Sequence, residues 1–311
     1  AVPVESALGL QTPAAQLPQV FNIGVFENQD GVDGYYPGSV VVDNTRQFAY
    51  VYNTDSAERR PVISVLDLRQ GRPVRSIRLD VSVPGGLGRL VLAADGRLVF
   101  ADLERRSLTL IDPTTGRLDP LLPDIRDVAP GPDGSTLYVV VPNGLRAYRL
   151  DQLVGRRAPQ WEVAGAFAHV AAGEDRVGVI DNGDGAGRWF VTYDPATGDE
   201  MARTELTDPF SAFAGGPAGS WAIVTTGEKP KLRRFDAALH QTDEAVIPYA
   251  YEISYDAPRQ RYLLSGFRSD GRSSTSGIYA YSALDLKQVA GQERPGSDVP
   301  TLFVNWGQDR V

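Results

Sequence analysis

The chain has 311 residues, 42% of them hydrophobic and 23% charged, with 32 Gly, 22 Pro and a formal net charge of −8. That charge repels phosphate backbones and argues against nucleic acid as a partner, while no run approaches the roughly 18 apolar residues of a membrane helix. With no Cys and only two His, disulfide frameworks, thiolate nucleophiles and zinc sites made with Cys or with several His are excluded.

Residues 1–19 are Ala-rich and broken by Pro, and they are read as an N-terminal extension before a single domain spanning 20–311. The start Ala1-Val2-Pro3 lacks the basic head and apolar core of a signal peptide, but it fits the product of an Ala-x-Ala cleavage. Phe21 to Glu27 reads as the first strand.

From there a turn followed by a β-branched and aromatic run recurs along the chain. The turns are Asp43-Asn44-Thr45-Arg46, Asp95-Gly96-Arg97, Pro132-Asp133-Gly134-Ser135, Glu174-Asp175-Arg176, Ala218-Gly219-Ser220, Pro258-Arg259-Gln260 and Gln308-Asp309-Arg310. Strand-like runs follow, such as Phe48 to Tyr52, Leu98 to Phe100, Leu137 to Val141, Val177 to Ile180, Trp221 to Val224 and Arg261 to Leu264. Six intervals between positions 44 and 308 put the repeat at about 44 residues.

A second marker falls inside each unit at Leu66-Asp67, Ile111-Asp112, Leu150-Asp151, Tyr193-Asp194, Phe235-Asp236 and Tyr281-Ser282. In four cases a glycine lies four residues on, at Gly71, Gly116, Gly155 and Gly198. There Asp can open a turn through its side chain and Gly can take positive φ. Two hairpin markers per unit imply four short strands, which is the blade of a propeller.

The expected fold is therefore all-β: a seven-bladed β-propeller of four-stranded antiparallel blades, with six blades as the alternative count and a β-sandwich as the alternative fold. Its last blade, opened by Thr301 to Trp306, is completed by Phe21 to Glu27, so that N- and C-terminal strands pair and close the sheet edges. Trp161, Trp189, Trp221 and Trp306 are expected to fill spaces between blades.

Pro132-Asp133-Gly134-Ser135-Thr136-Leu137-Tyr138-Val139, with the Val-rich runs ending at Asp67 and Asp112, resembles the YVTN-type β-propeller repeats of bacterial and archaeal extracytoplasmic proteins. The likeness is strongest from about Ser39 to Asp208 and weakens at Pro217-Ala218-Gly219 and Ala257-Pro258-Arg259, where the Asp-Gly pair is missing. The resemblance implies a secreted, periplasmic or surface-attached protein. It transfers no catalytic residue, because its signature positions shape turns and cores.

In such a blade the second-to-third and fourth-to-first connections share one face. The insertions Thr54 to Arg60, Asn182 to Arg188 and Arg268 to Ser276 fall in second-to-third connections, where a rigid scaffold concentrates binding residues. Tolerated surface drift is the plain alternative. The leading ends of the first strands should ring a channel mouth with Tyr36, Arg89, Arg126, Asp127, His169, Ser211, Tyr251 and Glu252.

Arg89 and Arg126 could clamp a carboxylate or phosphate, and His169 and Glu252 could donate and accept a proton. A water-filled channel lined by mutually paired charges is the competing reading. His240 adjoins a turn and is expected in solvent. No cofactor is predicted. A calcium ion could be held at Asp181 and Asp184 or at Asp30 and Asp33, although neither loop has the calcium-loop spacing.

No Gly-x-Ser-x-Gly elbow occurs, and Gly85-Gly86-Leu87-Gly88 lacks the Lys of a phosphate loop. The sequence thus favours a monomeric, extracytoplasmic binding propeller that presents a loop-rich face to a protein, a glycan or a cell-envelope component, with a small anionic ligand as a further candidate partner. The rival is a channel-site hydrolase, lactonase or lyase acting on an anionic small molecule through Arg89, Arg126, His169 and Glu252.

Overall fold

The computed structural model describes residues 39–55, 60–79, 88–93, 95–154, 157–182, 187–269 and 274–295. These residues form six antiparallel four-stranded sheets, each wound in simple sequence order. Blade one holds β1 (Ser39–Asp43), β2 (Phe48–Asp55), β3 (Arg60–Asp67) and β4 (Arg72–Arg78). Blade two holds β5 (Gly88–Leu92), β6 (Leu98–Asp102), β7 (Ser107–Ile111) and β8 (Leu118–Pro123).

Blade three comprises β9 (Asp127–Pro130), β10 (Thr136–Val141), β11 (Gly144–Arg149) and β12 (Trp161–Ala164), and blade four β13 (Phe167–Ala172), β14 (Val177–Asp181), β15 (Trp189–Tyr193) and β16 (Glu200–Glu205). Blade five is β17 (Phe210–Gly215), β18 (Trp221–Thr225), β19 (Lys231–Phe235) and β20 (Gln241–Val246). Blade six is β21 (Tyr249–Asp256), β22 (Arg261–Ser269), β23 (Ser274–Ser282) and β24 (Gln288–Pro295). The blade architecture is that of a β-propeller.

The expected seven blades are corrected to six among the described residues. The segments assigned to the seventh, Thr301 to Trp306 with Phe21 to Glu27, and its marker Gln308-Asp309-Arg310, lie outside them. The other six first markers each join a first strand to a second, and the six second markers each join a third to a fourth.

Local chemistry accounts for those turns. Asp67 Oδ1 accepts the N–H groups of Arg69 and Gln70 at 2.8 and 3.1 Å, and Asp194 Oδ1 accepts those of Ala196 and Thr197 at 2.7 and 3.0 Å. Each is an Asx-type turn that closes on a residue of positive φ. Gly71, Gly116 and Gly198 supply it, whereas Leu239 and Leu286 take it in the later blades. The Leu150-Asp151 marker instead opens one turn of helix, α1 (Leu150–Val154).

The chain divides into two compact units, the first containing blades one and two and the second containing blades three to six. In the first, Tyr50, Tyr52, Ile63, Leu90, Leu98 and Phe100 form the core between the two sheets. In the second, the first strands β9, β13, β17 and β21 are successive neighbours, and cores form between facing sheets. One joins Tyr138, Val140 and Trp161 to Phe167, Val179 and Tyr193; the next packs Ile180 and Phe190 against Trp221, Ile223 and Phe235.

Alternation along each strand sends residues to both faces, so second strands such as β10 and β18 are buried almost throughout. Fourth strands β16 and β20 alternate exposed and half-buried. Trp221 is fully buried between blades four and five, edge-on to Phe190 at 5.1 Å. A Cβ on Gly178 of the facing strand would lie 2.6 Å from its ring, so the indole requires glycine there. Trp161 also fills an inter-blade space and donates from Nε1 to the Pro195 carbonyl at 2.9 Å; Trp189 is half-buried, and Trp306 lies outside the described residues.

Candidate functional site

Tyr36 lies outside the described residues. Arg89 is an exposed residue of β5 in the first unit, and the other six candidates belong to the second. The proposed set of Arg89, Arg126, His169 and Glu252 is therefore divided between units. Within the second unit, the leading ends of the four first strands stand side by side and are tied together by side chains.

Asp127 makes the tightest tie. It is 1% exposed, and its Oδ1 accepts the Val128 N–H at 2.9 Å while its Oδ2 accepts the Val170 N–H of β13 at 3.1 Å. A first strand has a blade partner on one side only, so its outward N–H groups need such an acceptor. Ser39 serves β5 in the same way, accepting the Leu90 N–H at 2.9 Å. Ser211 Oγ links β17 to β21 by donating to the Ala250 carbonyl at 2.7 Å. Asp127 and Ser211, chosen from sequence for their polarity, thus also join blades.

The same carboxylate faces His169. Its Oδ2 stands 3.5 Å from His169 Nδ1, and the imidazole is 54% exposed. The separation is longer than a normal hydrogen bond, and Nδ1 is the ring nitrogen that faces the acid. Arg126 Nη1 donates to the Phe167 carbonyl at 3.4 Å. His169 also stands edge-on to Phe210 at 6.0 Å, and Arg188 lies over that ring at 5.2 Å. Arg126, His169 and Arg188 thereby collect along the leading ends of β9, β13 and β17.

The aromatic part of the edge is in blade six. Tyr251 is 49% exposed, stacks on Phe267 at 5.9 Å and meets Tyr249 edge-on at 5.0 Å. Partial burial and the neighbouring Tyr249 raise its phenol pKa. Glu252 is half-buried and pairs in the ladder with Ser265.

A repeated irregularity places these side chains. Pairing slips by one residue between Phe167 and His169, between Phe210 and Ala212, and between Ala250 and Glu252. Ala168, Ser211 and Tyr251 are the extra residues, so three successive first strands carry a β-bulge at the same place. A bulge re-aims side chains and is common beside functional sites. No sequence signal marked these bulges or Phe210 as part of the edge, whereas Arg188 is the last residue of the insertion Asn182 to Arg188 already assigned to that face.

Of the cation candidates, Asp181 is a half-buried strand end, while Asp184, Asp30 and Asp33 lie outside the described residues. Among the described residues, no group of three His, Asp or Glu could hold a metal ion. No described helix is long and apolar enough to cross a membrane. His240 is in solvent as expected, with its side chain 81% exposed beside Asp236.

No protein-family profile matches the chain, and no curated protein matches it in sequence. Solved structures do share the fold. Hydrazine synthase of Kuenenia stuttgartiensis matches with a TM-score of 0.60 at 13% identity, over 81% of this chain and 78% of that one. Virginiamycin B lyase from Staphylococcus aureus matches with a TM-score of 0.53 at 13% identity, over 85% of each chain. A catalytically inactive histidine-to-alanine variant of that lyase with quinupristin gives the same TM-score and identity over 89% of this chain and 86% of that one.

Proposed function

We propose that the protein is an extracytoplasmic binding propeller, and that the leading ends of the first strands in blades three to six bind an acidic glycan. The observation that carries this reading is the pairing of an aromatic platform with a guanidinium and an imidazole along one edge. Tyr251, half exposed and stacked on Phe267, offers a flat apolar face, and Arg126 and His169 stand at the equivalent ends of neighbouring first strands. Flat rings suit sugar faces, and guanidinium suits carboxylates. The extracytoplasmic location is part of the proposal and is supported by the resemblance to YVTN-type repeats.

The test is calorimetric titration of the purified protein with alginate oligosaccharides, with neutral dextran oligosaccharides of equal length as comparison. Alginate should bind and weaken with added salt, and Tyr251→Ala and Arg126→Gln should each reduce affinity roughly tenfold. Equal affinity for both sugars, no binding, or unchanged binding by Tyr251→Ala would overturn the reading.

A second reading is acid–base catalysis, favoured by the imidazole of His169 standing beside the buried carboxylate of Asp127. It is also supported by the fold shared with virginiamycin B lyase, one of whose structures is of an inactive histidine variant. The same alginate sample distinguishes the two. Appearance of unsaturated ends, abolished by His169→Ala, would replace binding with elimination.

A further inference from the structure

The second unit has a cavity of about 180 Å³ between blades four and five. One wall is a face of blade five, where Ile223 of β18 pairs with Arg233 of β19 and both are flanked by Thr225 and Phe235. The facing wall is the end of β16 and the connection to β17, with Thr204, Thr207 and Asp208, and Phe210 of β17 adds a second ring. Most of the lining is polar.

Spaces between the sheets are elsewhere filled by apolar side chains. Arg233 stands two residues before Phe235 of the second marker, and the same position holds Val191 in blade four and Tyr279 in blade six, both fully buried in inter-blade cores. Blade five replaces that plug with a guanidinium. Arg233 is only 20% exposed; its Nη2 pairs with Asp208, and its Nε lies 3.5 Å from Glu244. The same Nε is buried without a hydrogen-bond partner among the described residues. Thr225 is buried as well, and its hydroxyl reaches only the Lys231 carbonyl, at 3.4 Å.

The charge of Arg233 is therefore met, while hydrogen-bonding capacity remains at the desolvated wall. A hydroxyl suits such a place, because it can accept from one neighbour and donate to another without bringing in a charge. An anion would instead face the carboxylates of Glu205 and Asp208, which also line the cavity. The volume equals that of about six liquid waters, close to the room one hexopyranose takes up in water, and Phe210 and Phe235 offer apolar surface to the C–H face of such a ring. We propose that this cavity binds a single neutral hexopyranose, whose hydroxyl groups are taken by Arg233, Asp208 and Thr225. The site is separate from the acidic-glycan edge, since Arg126, His169 and Tyr251 do not line it.

The experiment titrates the purified chain, by ligand-observed NMR, with D-glucose, D-galactose and D-mannose. D-glucuronate, which adds a carboxylate, and cyclohexylamine, which has a ring and a cation but no hydroxyl array, serve as comparisons. At least one hexose should bind, about fivefold or more tightly than either comparison. Thr225→Val keeps the side-chain shape and should weaken that hexose about fivefold, and Asp208→Asn about tenfold; circular dichroism checks that each variant is folded. The methyl glycoside of the bound hexose separates a free sugar from the end of a chain: it should bind as well only if the cavity takes a chain end. The proposal is overturned if no hexose binds, if glucuronate or cyclohexylamine binds equally well, or if either substitution leaves hexose affinity unchanged. Free hexose at saturation fills the cavity, so alginate and dextran titrations repeated in its presence read the glycan edge alone, and failure of one site is distinguishable from failure of the other.

Discussion

Asp127→Ala should destabilise the second unit by about 3 kcal/mol. The carboxylate is buried and receives one backbone N–H on each oxygen, from Val128 and from Val170 in the next blade. A hydrogen bond to a charged group contributes about 1.5–3 kcal/mol, and removing the acceptor strands donors that were desolvated to meet it. Loss of the desolvation penalty on the carboxylate itself offsets part of this, leaving about 3 kcal/mol rather than twice that. Asp127→Asn keeps the shape but turns an NH2 toward one donor, so it should cost about half as much. In scanning calorimetry the alanine variant should lower the transition of the second unit by about 6–12 °C, at 2–4 °C per kcal/mol. His169→Ala should change it little, since the ring is half exposed and its approach to Asp127 is long. The reasoning fails if Asp127→Ala lies within about 0.5 kcal/mol of the parent, or if Ala and Asn are equivalent.

The Trp221 contact makes a packing prediction. Trp221→Ala should cost about 3–5 kcal/mol, Gly178→Ala should destabilise by forcing the indole aside, and combining Gly178→Ala with Trp221→Phe should cost less than the sum; denaturant midpoints of the three variants check this. A last prediction concerns alkaline pH. Burial pushes the phenols of Tyr52, Tyr138, Tyr193 and Tyr262 up to about 12, with Asp102 and Glu104 adding to the effect at Tyr52. The folded state therefore holds these protons above the unfolded value of about 10. Stability from them is complete below pH ~10 and is lost as pH rises toward ~12. Tyrosinate absorbance should rise together with loss of circular dichroism; titration of these phenols near 10 with the fold intact would contradict it.

Blades were legible because their punctuation is local. An Asp that accepts the next two or three N–H groups, followed by a residue at positive φ, acts within five positions, and Asp67-to-Gly71 and Asp194-to-Gly198 need nothing else. Even Pro217-Ala218-Gly219 and Pro258-Arg259-Gln260, which lack the Asp-Gly pair, turn where the spacing requires, through residues Ala218 and Gln260 at positive φ. The strand order follows from these turns, since each joins neighbours in the sheet.

The candidate site was legible only as a row of positions. Arg126, Asp127, His169, Ser211 and Tyr251 do stand at strand ends, but what each can do depends on residues far away in sequence. Asp127 is held by Val170, Ser211 by Ala250, and Arg188 rests on Phe210. The bulges at Ala168, Ser211 and Tyr251 arise where a first strand must satisfy its own sheet and its neighbour together, a demand absent from any single hairpin. Sequence alone therefore determined the all-β repeat and its hairpin boundaries, because turn chemistry acts over a few residues. Tertiary structure alone decided which polar side chains join blades, because those partners meet only when blades pack.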